Sequence, residues 1–446
     1  MTWERKMMRT VRVRNEQKVG TLARLLAAVS GMQASVGSIE LINETAHSVV
    51  RDITIYADDT EHMDHVIEAM RHNEGTRVLE IRDEVLALHH KGKIAIRSRH
   101  PIDSIAMLRR VYTPGVAEVC LKIADDPELA RLYTSISHMV AIVTDGTAVL
   151  GLGDIGPLAS MPLMEGKAML METLVGLSGM PILLNTKDPD EIVQAVYAIS
   201  PTFAAIQLED ISAPRCFEIE ERLQAMLDIP VMHDDQHGTA VVSIAALMVA
   251  AKRSKVDIGK AAIGQIGLGA AGNAIGKMIM RLTGNPVLGA DMNEDAVERF
   301  TRMGGTKSDL KEIMSECDIV IAATRAPNLI KPEMVRKGQV ILALSTEIDP
   351  EEALARGAAF AADGKVVNNV LGFPGILRGA VDSNAPRITH EMLIAAVEAL
   401  VSMTPAGELM PNPLDKKVHQ DVARAVAQTA IKQGIARADY PPYVQG

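Results

Sequence analysis

The chain has 446 residues, of which 48% are hydrophobic and only 3% aromatic, and carries a formal charge of −10. That length suggests about three domains, and an acidic balance without a dense Lys/Arg run argues against a nucleic-acid-binding surface. The charged start "MTWERKMMRTVRVRN" lacks the apolar core of a signal peptide. No window reaches the roughly 18 uninterrupted apolar residues of a membrane span, and Cys120, Cys216 and Cys317 are too few and scattered for a disulfide framework. A cytoplasmic protein with reduced thiols and no membrane or nucleic-acid partner is expected.

Residues 1–86 read as a small α+β unit. "RTVRVRN" alternates like a strand, Gly20 makes a turn, and Thr21 is placed to cap a helix through "LARLLAAVSGM". "SIELINE" and "HSVVRDITIYA" alternate with period two, "DTEHMDHVIEAMRH" is amphipathic, and "RVLEIRDEVL" reads as a last strand. The order βαββαβ is ferredoxin-like. It holds no obvious catalytic group, so a packing role competes with small-ligand binding. Residues 87–99 read as a connector.

From about residue 100 helices alternate with short apolar runs. "MVAIVTDG", "MPILLN", "FAAIQLED" and "IPVMHDD" each end in an acid or Asn, as buried parallel strands with ligand groups at their C-terminal ends do. Residues 100–240 are therefore expected to form an α/β region, 241–385 a second one that opens on a long Ala-rich helix, and 386–446 a helical tail packing back on the first. "CDIVIAAT", "QVILALS" and "KVVNNVL" are further candidate strands of the second region.

GxGxxG occurs twice. "GLGDIG", residues 151–156, carries Asp154 where phosphates would approach and is followed by Pro157, so it is rejected as a dinucleotide loop. "GLGAAG" (Gly267, Leu268, Gly269, Ala270, Ala271, Gly272) follows the apolar run "AAIGQI" and opens a helix. Gly267 suits the tight turn, Gly269 the approach of a pyrophosphate, and Gly272 close helix–strand packing. Asp291 ends "PVLGAD" at the spacing of a ribose-binding acid, and no Arg follows at once to hold a 2′-phosphate, so NAD is favoured over NADP.

Glu209 and Asp210 end one apolar run and Asp235 the next. Adjacent residues on a continuing strand face opposite ways, so both acids serve one site only if the backbone turns. Three oxygen ligands would suit Mg²⁺ or Mn²⁺; helix-capping and turn acids are the competing reading. Gly238 argues against a continuous helix through His233 and His237, which are read as neutral hydrogen-bonding residues. Lys167 is either a snorkelling surface lysine or, if buried by a cleft, a base of lowered pKa. Tyr112, before a Thr-Pro-Gly turn, would earn no role by itself.

Taken together and in this order, "VYTPGVAEVC", "VTDGTAVLGLGDIGP", "MEGKAML", "IQLEDI", "HDDQHGTA", "GLGAAG" and "VNNVLGFPGILRGA" resemble the small bacterial type of malic enzyme over roughly residues 93–446. The first unit resembles an ACT domain, a module that commonly binds small effectors. The resemblance implies three parts: a ferredoxin-like ACT domain, an α/β substrate domain and a Rossmann-type, doubly wound NAD-binding domain. It further implies oxidative decarboxylation of (S)-malate to pyruvate and CO₂ with reduction of NAD. Tyr112 would be the proton donor, Lys167 the general base, and Glu209, Asp210 and Asp235 the ligands of Mg²⁺ or Mn²⁺. Asp234 would lie just behind the metal, and Asn369 would contact substrate. A homodimer or higher homo-oligomer is implied as well. Two blocks depart from the family: Thr346, Glu347 and Ile348 stand after "VILALS" where an Asn-Pro is usual, and "ADGKVV" precedes the paired asparagines. The competing functions are malolactic or other 2-hydroxy-acid chemistry and a non-catalytic NAD or effector sensor.

Overall fold

The alternation of the first strand puts Val11 and Val13 on one face, and in the computed structural model both are fully buried. The structure describes residues 7–149, 151–324, 326–364 and 368–438 and divides into two units, Met1–Ala95 and Ile96–Gly446. Among the described residues no helix is long and apolar enough to cross a membrane.

The first unit runs β1 (Met7–Glu16), α1 (Thr21–Gly31), β2 (Ser35–Glu44), β3 (Ser48–Ala57), α2 (Thr60–Arg71), β4 (Thr76–Arg82). The strands form an antiparallel sheet in the order β2-β3-β1-β4, the ferredoxin-like arrangement expected. Leu25 and Val29 of α1 and Met63, Val66 and Met70 of α2 pack on Val11, Val13, Ile53 and Ile55. Asp59 caps α2 by accepting from the His62 N–H, whereas α1 has no side-chain cap. Thr21, expected to cap, is instead its first helical residue and is buried; Gly20, at φ +85°, makes the entry turn. The expected connector is partly helical: Asp83 caps α3 (Glu84–His89).

The second unit begins with three short helices, α4 (Ile105–Val111), α5 (Val116–Asp125) and α6 (Leu129–Tyr133), none of which has a buried residue. Then follow β5 (Met139–Thr144), α7 (Pro157–Val175), β6 (Ser178–Leu183), α8 (Pro189–Ile199), β7 (Ala205–Leu208), α9 (Arg215–Met226) and β8 (Val231–His233). All four expected strands are present, parallel, in the order β6-β5-β7-β8. Each is short and apolar because helices cover the sheet. One such layer packs Ile192, Val196, Ile219 and Leu223 of α8 and α9 against Ala141, Val143, Ile206 and Leu208.

The helix expected from about 241 starts seven residues earlier: α10 spans Asp234–Arg253 and runs unbroken through Gly238. Beyond it come β9 (Ile263–Ile266), α11 (Ala270–Thr283), β10 (Leu288–Ala290), α12 (Glu294–Arg302), β11 (Thr306–Lys307), α13 (Leu310–Glu316), β12 (Ile319–Ala322), β13 (Val340–Ala343), α14 (Pro350–Ala355) and β14 (Phe360–Ala362). Their parallel sheet has the order β11-β10-β9-β12-β13-β14, the doubly wound order of dinucleotide-binding folds, with its switch point between β9 and β12. The sixth strand comes from "AAFAAD" and not from "KVVNNVL": residues 365–367 of that run lie outside the described residues, and Asn369–Leu371 form a 3₁₀ turn. Finally α15 (Phe373–Asp382), α16 (His390–Met403) and α17 (Lys416–Lys432) close the chain; α17 packs on α15, α16 and α7, and α16 on α10.

Candidate active site

Two sheet edges carry the candidate groups. On the first, the Glu209 N–H still donates to the Val143 carbonyl at 2.8 Å, and Asp210 then turns into the left-handed region at φ +54°. Asp tolerates that conformation better than most residues. The turn cancels strand alternation, so both acids arrive at one place. β8 lies beside β7 and passes directly into α10, which brings in Asp235; its Oδ2 accepts from the Asp210 N–H at 3.0 Å. One ligand oxygen from each of Glu209, Asp210 and Asp235 lies within 4.8 Å of the others. Glu209 and Asp210 are buried and Asp235 half-buried.

Lys167 reaches the same place from α7. Its Nζ donates to Asp234 Oδ2 at 2.5 Å, stands 3.1 Å from Glu209 Oε1, and lies 4.4 Å from the centroid of the Phe373 ring. Asn369 also donates to Asp234 Oδ2, at 3.1 Å. Gly238, one helical turn after Asp234, makes that carboxylate's position possible: a Cβ there would stand 1.9 Å from Asp234 Oδ1. The glycine is thus a clearance for the site, and not the helix breaker that its identity suggests.

Confining so many carboxylates is costly. Burial and the neighbouring negative charges hold Glu209 well above the usual carboxyl range, and burial followed by Asp235 pushes Asp210 up to about 7. Burial also raises Asp234, although Lys167 pulls it down. For Lys167, burial favours the neutral amine, but Asp234 and Glu209 outweigh it and raise the ammonium's pKa. The lysine is buried as the base reading required, but its pKa moves opposite to that expectation because its cleft is lined by acids. Asp210 Oδ2 and Asp234 Oδ1 are buried without a hydrogen-bond partner. Crowded, under-satisfied hard oxygens are what a Mg²⁺- or Mn²⁺-sized cation would satisfy, so the residues fit a divalent metal.

Tyr112 is not brought to this cluster within the chain. It follows α4, is 67% exposed, and its phenol has no hydrogen bond to the cluster among the described residues. His237, expected to be a neutral hydrogen-bonding residue, does hydrogen-bond, to Glu220. Burial disfavours its charge, but Glu220 outweighs burial and raises its pKa. Glu220 accepts from the His233 N–H at 2.8 Å, from Gln236 at 3.0 Å and from His237 at 3.0 Å, fastening the first turn of α10 from behind. The His233 ring is buried with neither nitrogen hydrogen-bonded, so it does not take the expected hydrogen-bonding role. Glu220 escaped the sequence reading, yet it had a signal: with Cys216, Ile219 and Leu223 it lies on the apolar stripe of α9.

The second edge is made of backbone. Gly267 stands at φ +85° after β9, where a Cβ would meet the Ala323 carbonyl at 2.3 Å; a Cβ on Gly272 would meet the Gly267 carbonyl at 1.9 Å. Around Gly269, by contrast, a Cβ would find nothing within 4 Å. Two glycines are therefore demanded by packing, and the third leaves open space at the N-terminus of α11, as an approaching pyrophosphate needs. Asp291 follows β10; it accepts from Leu268 N–H at 2.6 Å and Asn293 N–H at 2.8 Å. Asn273 holds the loop from within by donating to the Leu268 and Gly269 carbonyls. These residues fit a dinucleotide. The rejected loop "GLGDIG" leads instead into α7, and its Asp154 pairs with Lys187 at 2.5 Å. Where the Asn-Pro block is missing, Glu347 is fully buried and accepts from Thr324 N–H at 2.7 Å and Ser345 N–H at 2.8 Å, tying together the loops after β12 and β13. The sequence marked Glu347 only as part of a departure from the family, not as a tether.

Residues 91–224 match the family model for the malic enzyme N-terminal domain. Over 430 residues the chain is 52% identical to NAD-dependent malic enzyme 1 of Bacillus subtilis, covering 95% of this chain and 98% of that one. It is 42% identical over 396 residues to a bifunctional malic/malolactic enzyme of the same organism, covering 82% and 96% of the two chains. The crystal structure of a malic enzyme from Pyrococcus horikoshii Ot3 matches with a TM-score of 0.75 at 37% identity, over 80% of this chain and 92% of that one.

Proposed function

The chain belongs to the malic enzyme family, and from that premise we propose how its NAD-dependent oxidative decarboxylation of malate to pyruvate and CO₂ is divided among its residues. The observation that carries the assignment is the meeting of Glu209, Asp210 and Asp235 beside Lys167. Those three carboxylates hold the Mg²⁺ or Mn²⁺, and Gly267, Gly269, Ala270, Ala271, Gly272 and Asp291 hold NAD. When bound, the cation offsets the local negative field and polarises the C2 oxygen of malate, while NAD takes the hydride. With that field offset the buried ammonium can give up its own proton, and Lys167 is then the group that accepts the C2 hydroxyl proton. Asp234 aims its Nζ and Asn369 braces Asp234, so the amine's direction is set by two partners and not by its own flexible stem. Phe373 covers the ammonium's apolar side and keeps water from that face. After CO₂ leaves, C3 needs a proton, and Tyr112 is assigned as its donor.

Tyr112 is exposed at the end of α4, and α4–α6 also expose Ile105 (66%), Leu121 (68%) and Leu132 (70%). We infer a homodimer in which this face meets a second copy and Tyr112 serves the partner's Lys167. Mixing two inactive variants, Tyr112→Phe and Lys167→Ala, then restores roughly a quarter of wild-type turnover, because half the dimers are hybrid and each hybrid has one intact site of two. No recovery after subunit exchange places both groups in one chain. For residues 7–82 we propose the effector role of an ACT module, supported by the βαββαβ order and the sheet order β2-β3-β1-β4.

The reaction is tested by supplying malate and NAD with and without Mn²⁺ and following NADH and pyruvate together. Equal, metal-dependent appearance of both is expected. Lactate without NADH would favour malolactic chemistry, the second reading, which rests on the likeness to the bifunctional relative.

A further inference from the structure

Behind the first turn of α10, on the side away from Asp234 and Asp235, a cavity of about 500 Å³ opens between α9, α11, α12 and the start of α16. Besides His237, which is committed to Glu220, four basic side chains line it: Lys277 and Arg281, one turn apart on α11, Arg299 on α12, and His390, the first residue of α16. Among the described residues none of the four makes an ion pair or side-chain hydrogen bond. That is unusual in a chain whose other arginines so often meet a carboxylate, as Arg222, Arg302 and Arg378 do.

Arg299 is held in place all the same. Its guanidinium lies 4.8 Å from the centroid of the Phe217 ring, and its Nε is buried without a partner. A stacked guanidinium with spare N–H groups is preorganised to bind a carboxylate or phosphate in its plane. The positive end of the α16 dipole adds to the field at His390. Two acids also line the cavity: Glu221, which is exposed, and Glu220, whose oxygens are already committed to His233, Gln236 and His237. Like charges gathered in a cleft focus an attractive field for an oppositely charged solute.

We propose that this cavity is a regulatory binding site for a small polyanion, a polycarboxylate or a phosphate compound, held by Lys277, Arg281 and Arg299. Its occupant touches the floor formed by Glu220, Gln236 and His237. Glu220 fixes the backbone of His233 and the side chains of Gln236 and His237, which flank Asp234 and Asp235 in sequence. Occupancy therefore acts on the turn that carries the metal-site acids. The site's cationic residues stand apart from the glycine loop, because Lys277 and Arg281 lie in the second half of α11 and Gly269 at its start, although Asn273, which holds that loop, also lines the cavity.

The test is calorimetric titration of the full-length, metal-free protein, saturated with NAD so that the dinucleotide loop is filled. The probes are inorganic phosphate and citrate. Saturable binding of at least one is expected, and Lys277→Gln/Arg281→Gln weakens it by at least about tenfold, the loss of one or more charge-assisted bonds. Binding of phosphate alone, or of citrate alone, supports the proposal and identifies the ligand class. The double variant keeps the wild-type NAD affinity and thermal midpoint in the absence of probe, which reports that it is folded. In the metal-loaded enzyme the bound probe shifts the malate KM of the wild type and not of the variant. No saturation by roughly 10 mM of either probe, or equal binding to wild type and variant, overturns the site. Binding that leaves KM unchanged overturns the route through Glu220.

Discussion

The two parallel sheets of the second unit solve opposite problems at their C-terminal edges. Beyond β7 and β8 the chain gathers charged side chains: Glu209, Asp210, Asp234 and Asp235 around one lysine. Beyond β9 it removes side chains: Gly267 and Gly272 because packing leaves no room for a Cβ, and Gly269 to leave open backbone at the start of α11. The first edge is under electrostatic load in the metal-free protein, with carboxyl groups held above their ordinary range. The second carries one acid, Asp291, and is shaped by close contact and by the hydrogen bonds of Asp291 and Asn273 to the loop backbone. Substitutions at the first should therefore register in proton and metal linkage, and substitutions at the second in packing and nucleotide affinity.

The largest expected effect is at the charged edge. Lys167→Ala lowers kcat by about 10²–10⁴-fold, the scale of a lost general base, while NAD binding stays intact; turnover within tenfold of wild type would remove Lys167 from its assigned role. A crossed pair of variants separates the edges most directly. Asp235→Ala abolishes stabilisation by Mn²⁺ in thermal unfolding and leaves NAD affinity unchanged. Gly272→Ala forces a Cβ onto the Gly267 carbonyl, costs roughly 1–3 kcal/mol of stability as overpacking does, weakens NAD binding and keeps the Mn²⁺ response. If both variants lose both responses, the edges are not independent.

Asp210→Asn gives a signed, intermediate effect. Its carboxyl sits at about 7 against an ordinary 3.8. The folded state thus holds a proton that the unfolded state has released, and stability falls as pH rises between those values and stays reduced above them. The cost is on the order of 4 kcal/mol. Free of metal, the Asn variant should melt above wild type at about pH 8 and with it near pH 4, and Mn²⁺ should reverse the order at the higher pH. Wild type and variant melting together at both pH values would show that the acid is not under load. The smallest effect is at Asp291, where Ser substitution removes the acceptor for Leu268 N–H and should weaken NAD by about tenfold, narrowing the preference over NADP.

How much of this the sequence disclosed follows the same division. The glycine edge was readable almost whole, because a dinucleotide loop is a local object: strand, three glycines, helix and a distant acid at fixed spacing. The carboxylate edge was readable only as a conditional. Whether Glu209, Asp210 and Asp235 meet depends on β7 and β8 being neighbours and on one left-handed residue, neither of which is a local pattern. Gly238 was misjudged because propensity marks glycine as a breaker, whereas here it clears space for Asp234 in a helix stabilised by packing. Thr21 failed as a cap because Gly20 already made the turn and left the threonine inside. Phe373 over Lys167 and Glu347 between two strand loops are contacts of distant segments, which periodicity does not record.

The single left-handed residue after β7 limits the alphabet at its position beyond what ligand chemistry would ask. Glutamate offers the same two oxygens as aspartate, but its longer, less αL-tolerant side chain would draw the peptide back toward an extended path and return the two neighbouring acids to opposite faces of the sheet. Position 210 thus accepts little besides Asp, Asn and Gly for reasons of backbone torsion, and only one of those three is an anion.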